Sequence, residues 1–239
     1  MTSVFPITGI DIRYSGQAWP MPQAMREAVG ETWARELKDN PHLWDGRIIC
    51  VSVPEIDGNG VLRATAYEDA FSAFMTWRNQ GFPEIGLRNL FGSSLIITAD
   101  NAVILGVMGE TTANAGRIYP PAGSLEPRDV QPDGSLDVYR STQIELMEET
   151  GLRYSDAIEG ELVAVFDGPR VSIARALYFS QTADELLATI RANLDLQEER
   201  ELADVVAVRT LAELESLGEP LPYVAALLWA FETGGFIHP

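Results

Sequence analysis

The stretch that decides the reading is QIELMEETGL, residues 143–152, which sets Glu145, Glu148 and Glu149 just ahead of Gly151. The run from Leu136 to Thr150 holds neither proline nor glycine. A glycine directly after such a run suits a helix end, because a residue without Cβ enters the left-handed turn at little cost. The spacing therefore predicts a helix over 136–150. On it Glu145 stands three positions from Glu148 and four from Glu149, so the carboxylates project from neighbouring positions on one side. Like charges at this spacing cost roughly 0.2–0.5 kcal/mol per pair. They also sit toward the helix C-terminus, where the peptide dipoles disfavour anions. Arg140 and Arg153 stand only at the margins, and no lysine falls between 141 and 153. The cluster is either a solvated face of an acidic chain or a group gathered to hold something positive.

Composition narrows that choice. The 239 residues carry 35 acids against 17 Lys plus Arg, a formal net charge of −18. A protein that grips nucleic-acid backbones needs the opposite sign. The same field repels a small anionic substrate unless metal ions or local arginines reverse it. The single cysteine, Cys50, excludes an internal disulfide and a cysteine metal cluster, and its IICVSV setting reads as a buried strand. With two histidines, His42 and His238, the chain lacks the donors of a zinc site, whereas carboxylate oxygens suit Mg²⁺ or Mn²⁺. The apolar run VAALLWAF at 224–231 falls well short of the roughly 20 residues that span a bilayer. The N-terminal MTSVFPITGIDIRYSG shows no basic segment before an apolar core, so no signal peptide, no membrane association and a cytoplasmic location are expected.

Outward from the acidic helix, the pattern alternates between strand and helix signals. A loop rich in Pro, Asp and Gly (EPRDVQPDGS) leads into the helix, and RIYPPAG before it reads as a short extended stretch. SSLIITAD and NAVILGVMGE are expected strands around Asp100–Asn101, as are ELVAVFDG, VSIARALYFS and DVVAVRTL. TADELLATIRANL, LAELESLG and PYVAALLWAFE read as helices, the last with proline in its first turn. Toward the N-terminus, residues 1–22 read as an irregular or short-strand arm. A helix is expected from Pro22 to Lys38 and another in YEDAFSAFMTWRNQG. Between them RIICVSVPEI and VLRATAYED read as strands across the DGNG turn at 57–60, so that Tyr67–Asp69 fit either the second strand or the helix after it. Without regular βαβ spacing, the fold expected is a mixed sheet packed by helices.

PAGSLE at 121–126 followed by IELMEETGL at 144–152 resembles the signature of the Nudix hydrolases, G-x5-E-x7-R-E-U-x-E-E-x-G-U with U a bulky aliphatic. Gly123, Glu145, Leu146, Glu148, Glu149, Gly151 and Leu152 fit it. Ala122 replaces the glycine usual before Gly123, and Glu126 matches a frequent acid after it. The family arginine is Ile144 here, the acid expected upstream falls on Leu136 beside Asp137, and the intervening loop is lengthened. Loss of both partners of an ion pair suggests packing of Leu136 on Ile144 in its place, an exchange that need not lose stability.

The resemblance implies an α+β fold, a Nudix-type α/β/α sandwich with a mixed sheet, over 90–215. An N-terminal α/β extension (1–89) would pack on it, and a C-terminal helix and tail (216–239) would follow. It further implies Glu145, Glu148 and Glu149 as ligands of Mg²⁺ or Mn²⁺, with the Ala122 carbonyl as an additional oxygen. Glu148 and Glu149 would help orient water, and a general base would come from EERE, where Glu201 is preferred over Glu198 and Glu199. Arg117 and Tyr119 are the substrate-binding candidates. Arg88, Arg175, Trp44 and His42 are better explained as surface or packing residues.

The implied reaction is metal-dependent hydrolysis of a diphosphate linkage in a small nucleoside diphosphate-linked substrate such as a nucleotide sugar, with the extension as an added wall or a homodimer surface. The alternatives are a non-catalytic nucleotide sensor on the same fold and an acidic scaffold.

Overall fold

The strand that organises the molecule is LRNLFGSSLII, Leu87–Ile97, buried throughout from Leu90 onward. A strand buried at every residue from Leu90 to Ile97 must be covered on both faces. In the computed structural model, which describes residues 2–198 and 200–235, that is what surrounds it. In chain order the strands are β1 (Ser3–Pro6), β2 (Gly9–Tyr14), β3 (Arg47–Ser52), β4 (Glu55–Ile56), β5 (Val61–Ala70), β6 (Leu87–Ile97), β7 (Val103–Met108), β8 (Ile118–Tyr119), β9 (Ala122–Ser124), β10 (Ala157–Asp167), β11 (Arg170–Phe179) and β12 (Leu202–Val208). The helices are α1 (Gln23–Glu27), α2 (Val29–Asp39), α3 (Phe71–Asn79), α4 (Val138–Thr150), α5 (Ala183–Leu194), α6 (Leu211–Ser216) and α7 (Pro222–Glu232).

The strands join in the order β1-β10-β11-β6-β3-β5-β2, with β7 and β9 also on β6, β8 and β12 on β7, and β4 on β5. The sheet is mixed: β11 runs parallel to β6 from Arg170↔Asn89 to Tyr178↔Ile97, while β10 and β11 are antiparallel. Successive residues of a strand face opposite sides, and two neighbours on β6 show what covers each. Phe91 packs edge-on against Tyr223 of α7, ring centroids 5.3 Å apart. At Gly92 an added Cβ would overlap the Thr142 side chain of α4. The two helices therefore lie on opposite faces, giving the α/β/α sandwich with a mixed sheet and an N-terminal extension.

The extension is stitched to the rest by backbone pairing. β3 pairs β6 at Val51↔Arg88 and Ser52↔Leu87, and β1 pairs β10 from Ser3↔Phe166 to Pro6↔Val163. Its own core gathers Trp19, Met25, Ile48, Cys50, Phe74 and Trp77, with Leu87 of β6. The expected DGNG turn forms, with Asp57 Oδ1 accepting the Asn59 and Val61 N–H groups at 2.9 and 3.0 Å.

Local expectations fail in two places within the extension. The helix expected over 22–38 is split at Ala28 into α1 and α2. Tyr67–Asp69, which the pattern offers to both the strand and the helix after it, and Ala70, expected in the helix, complete β5, because these residues pair with Arg47–Cys50 across the hairpin and long-range pairing outweighs local preference. Glu199 and His238 lie outside the described residues. Among the described residues no helix is long and apolar enough to cross a membrane.

Candidate active site

The acidic helix is α4, and both of its ends are set by the residues that flank it. Asp137 caps the N-terminus by accepting the Arg140 N–H at 2.9 Å. Gly151 closes the C-terminus at φ 74°, the left-handed conformation. Leu136 thus precedes the helix. It is buried in the core cluster with Ile12 and Val138, whereas half-buried Ile144 belongs to none of the described clusters. The expected packing of Leu136 on Ile144 does not form, because the helix begins after Leu136.

What braces the loop on α4 is the loop's own charge. A short 3₁₀ turn, Pro127–Asp129, buries Asp129 completely. Its Oδ2 accepts the Glu126 N–H at 2.9 Å, and its carbonyl accepts the Asp137 N–H at 2.8 Å. The turn aims Arg128 at the glutamates: the guanidinium is 3.0 Å from Glu145, 3.2 Å from Glu126 and 4.0 Å from Glu148. The counter-charge missing from the helix itself therefore arrives from the lengthened loop.

The three glutamates do not share one environment. Glu148 is 60% exposed and Glu145 only 12%. Glu149 is buried, with Oε2 accepting the Ala122 N–H at 3.2 Å. This bond places the backbone of Ala122 beside the carboxylate. Gly123 lets the strand come this close, since a Cβ there would overlap the Glu145 side chain. The other oxygen of Glu149, Oε1, is buried without a hydrogen-bond partner. Leaving such a group unsatisfied is costly. Burial above all, then the field of Glu145, raises the Glu149 pKa well above the usual carboxylate range. Burial, reinforced by Glu148 and Glu201 against the opposing Arg128, lifts Glu145 to about 7.

Glu201 enters this group from the start of β12. Gln197 donates to the Glu148 carbonyl at 2.8 Å, tying the preceding stretch to the end of α4. The Gly109 N–H donates to the Glu201 carbonyl at 2.7 Å. Although residue 201 has exposed surface, partial burial of its carboxyl and the field of Glu148 raise its pKa. Glu198 is exposed. Among the described residues, no three His, Cys, Asp or Glu side chains converge as a formed metal cage. The donor chemistry nevertheless fits a hard divalent cation: all oxygen, crowded with negative charge, and containing an unpartnered buried carboxylate oxygen.

The substrate candidates separate. Tyr119 is buried, its hydroxyl accepting from Asn114 Nδ2 at 3.2 Å, and burial raises its pKa strongly. Arg117 is exposed and lines a cleft of about 350 Å³ with Leu214, Leu217 and Leu221. Elsewhere Arg88 pairs with Glu84 at 2.9 Å. Arg175 donates to the Gly160 carbonyl and stacks over Tyr139. Trp44 is 81% exposed, and the His42 N–H donates to Asn40 Oδ1 in the break after α2. Sequence reasoning missed Arg128 and Asp129. Their one signal was position: they sit in the loop that joins Gly123 to the helix.

No family model matches this chain, and comparison with curated proteins finds no match. Among solved structures, a MutT protein from Methanosarcina mazei Go1 is 19% identical at TM-score 0.40, over 62% of this chain and 95% of that one. A Nudix hydrolase from Nitrosomonas europaea is 14% identical at TM-score 0.41, over 62% and 90%. The Nudix domain of Shewanella oneidensis NrtR, solved with ADP ribose, is 12% identical at TM-score 0.41, over 63% and 88%. At these identities and scores the likenesses lend no weight to an activity.

Proposed function

We propose that this protein is a Nudix-type pyrophosphohydrolase that cleaves a diphosphate linkage in a small nucleoside diphosphate-linked substrate, such as a nucleotide sugar, with Mg²⁺ or Mn²⁺. The observation that carries this reading is Glu149: a buried carboxylate with one oxygen on the Ala122 N–H and the other unpartnered, beside Glu145. A structure keeps such a group when a ligand completes it.

Glu145, Glu148 and Glu149, with the Ala122 carbonyl, would hold the cation. When bound it would offset the charge of the diphosphate and make a water acidic enough to attack. The Ala122 N–H fixes the rotamer of Glu149, so that carboxylate needs no reorganisation to take up its role. Glu201, its pKa raised by burial and by the field of Glu148, is suited to accept the proton of the attacking water at its carboxylate, while Glu148 or Glu149 orients that water. Arg117 and Tyr119 would orient the substrate. The test is a phosphate-release screen over nucleotide sugars, dinucleotides and nucleoside triphosphates with each metal. Turnover that stops on chelation supports the reading.

A second reading, a non-catalytic nucleotide sensor, draws on a different observation: Arg128 already neutralises part of the cluster, 3.0 Å from Glu145. It predicts ligand binding in the same screen without turnover under either metal.

A further inference from the structure

In a chain with acids in twofold excess, arginines are expected beside carboxylates, and among the described residues neither Arg78 nor Arg117 makes an ion pair. Arg78 leaves the last turn of α3, in the extension. Its guanidinium donates to the Ala113 carbonyl at 3.0 Å and to Asn114 Oδ1 at 3.4 Å, both neutral oxygens. The same Asn114 accepts the Arg117 N–H through its carbonyl at 3.0 Å and donates its side chain to the Tyr119 hydroxyl. Arg117 forms no side-chain hydrogen bond or ion pair among the described residues. Arg170, at the start of β11, lies over the Phe82 ring at 5.6 Å. Phe82 in turn packs on Trp77, the neighbour of Arg78, at 4.9 Å. Among the described residues, the one carboxylate in direct contact with these three guanidinium groups is Asp167, 3.3 Å from Arg170. Glu36, the other carboxylate whose field reaches Arg78, already accepts from Asn79 at 2.6 Å.

We propose that Arg78, Arg117 and Arg170 form an oxyanion subsite that takes a phosphoryl group, so that the N-terminal extension contributes directly to the substrate site. As the position of a substrate's phosphoryl, this rests on the hydrolase reading; as an anion site, it does not. Guanidinium groups match phosphoryl oxygens with paired donors, and partial burial strengthens that attraction. Burial pulls Arg78 below the usual guanidinium range; Glu36 opposes this, and the fields of Arg170 and Arg117 add to it. Tyr119 feels Glu149 and Glu201 as well as Arg78, which joins the subsite to the carboxylates. An anhydride held there would meet arginines at one phosphoryl and the acidic helix at the other.

The test is titration of the full chain with inorganic pyrophosphate, in chelator and low salt, followed by calorimetry and by the fluorescence of Trp77. The wild type is expected to bind. Affinity should fall at least tenfold in R117Q, whose side chain supports no contact of the fold, and in R78Q, with partial recovery in R78K. R153Q, which removes one positive charge elsewhere, should bind as the wild type does. Absence of binding to the wild type, equal affinity in R117Q and the wild type, or an equal loss in R153Q would each overturn the proposal. Because chelator removes the metal, none of these outcomes depends on whether the acidic helix hydrolyses anything. ADP as a second probe, binding more tightly than pyrophosphate and losing affinity in the same variants, would place a nucleotide's phosphoryl there.

Discussion

Glu145 and Glu149 carry carboxyls whose pKa values are raised, Glu145 to about 7, with burial as the first cause for both. In the unfolded chain such groups titrate near 4.3. Between that value and about 7 the folded state therefore binds more protons than the unfolded one, so stability falls as pH rises through this window and the loss is complete above it. Carboxyls with lowered pKa values, such as Asp100 at about 2, titrate below the window and do not cancel the effect. Thermal melts in chelator should show a lower Tm at pH 7.5 than at pH 5, with a smaller difference in E149Q; a flat or rising profile would contradict the assignment. Arg128 is the cation already present, 3.0 Å from Glu145. R128Q should melt lower without metal and gain more from millimolar Mn²⁺ than the wild type, because a competitor for the carboxylates is gone. An unchanged metal-induced shift would mean that Arg128 and the metal do not share a site.

α4 shows what the sequence does and does not disclose about an element. Its existence, C-terminus and glutamate spacing follow from helix periodicity and from Gly151, which are local. Its first residue does not, because Leu136 is held by its N–H to the Ile12 carbonyl at 3.0 Å, a contact across more than a hundred residues. The same limit hid the brace on α4: Arg128 and Asp129 look like ordinary loop polars until the loop folds over the helix. It also left Tyr67–Asp69 between a strand and the helix that follows and gave Ala70 to the helix, because local pattern does not mark where β5 ends. G151A should cost about 1–2 kcal/mol, from the left-handed conformation and from a Cβ placed 2.6 Å from the Asn193 side chain; urea midpoints measure it. I144R should cost about 1 kcal/mol or less, since half-buried Ile144 packs in no described core cluster and its solvent access tolerates charge. A loss of several kcal/mol would return Ile144 to the core.

At the scale of the whole molecule the fold solves a charge problem. A net charge of −18 opposes the diphosphate proposed as substrate, and the two devices proposed to reverse it lie at different depths of the sequence. The acidic helix, which calls for a cation, is legible in a single stretch. The proposed arginine group is not, since Arg78, Arg117 and Arg170 come from the extension, a loop and a strand far apart in the chain, and only the fold sets Arg78 against Asn114 of that loop and Arg170 over Phe82. The fold class and the spacing of the glutamates could therefore be read from residues, whereas the contribution proposed for the extension rests on the structure. The central claim is that Glu149 belongs to a metal-dependent hydrolytic site. It is tested most directly by turnover of the wild type and E149Q on the best substrate of the screen, at saturating Mg²⁺, alongside their melting without metal. The account predicts that kcat falls by about two orders of magnitude or more while the apo Tm holds or rises, because a buried negative charge has been relieved. Near-normal turnover in E149Q would contradict it.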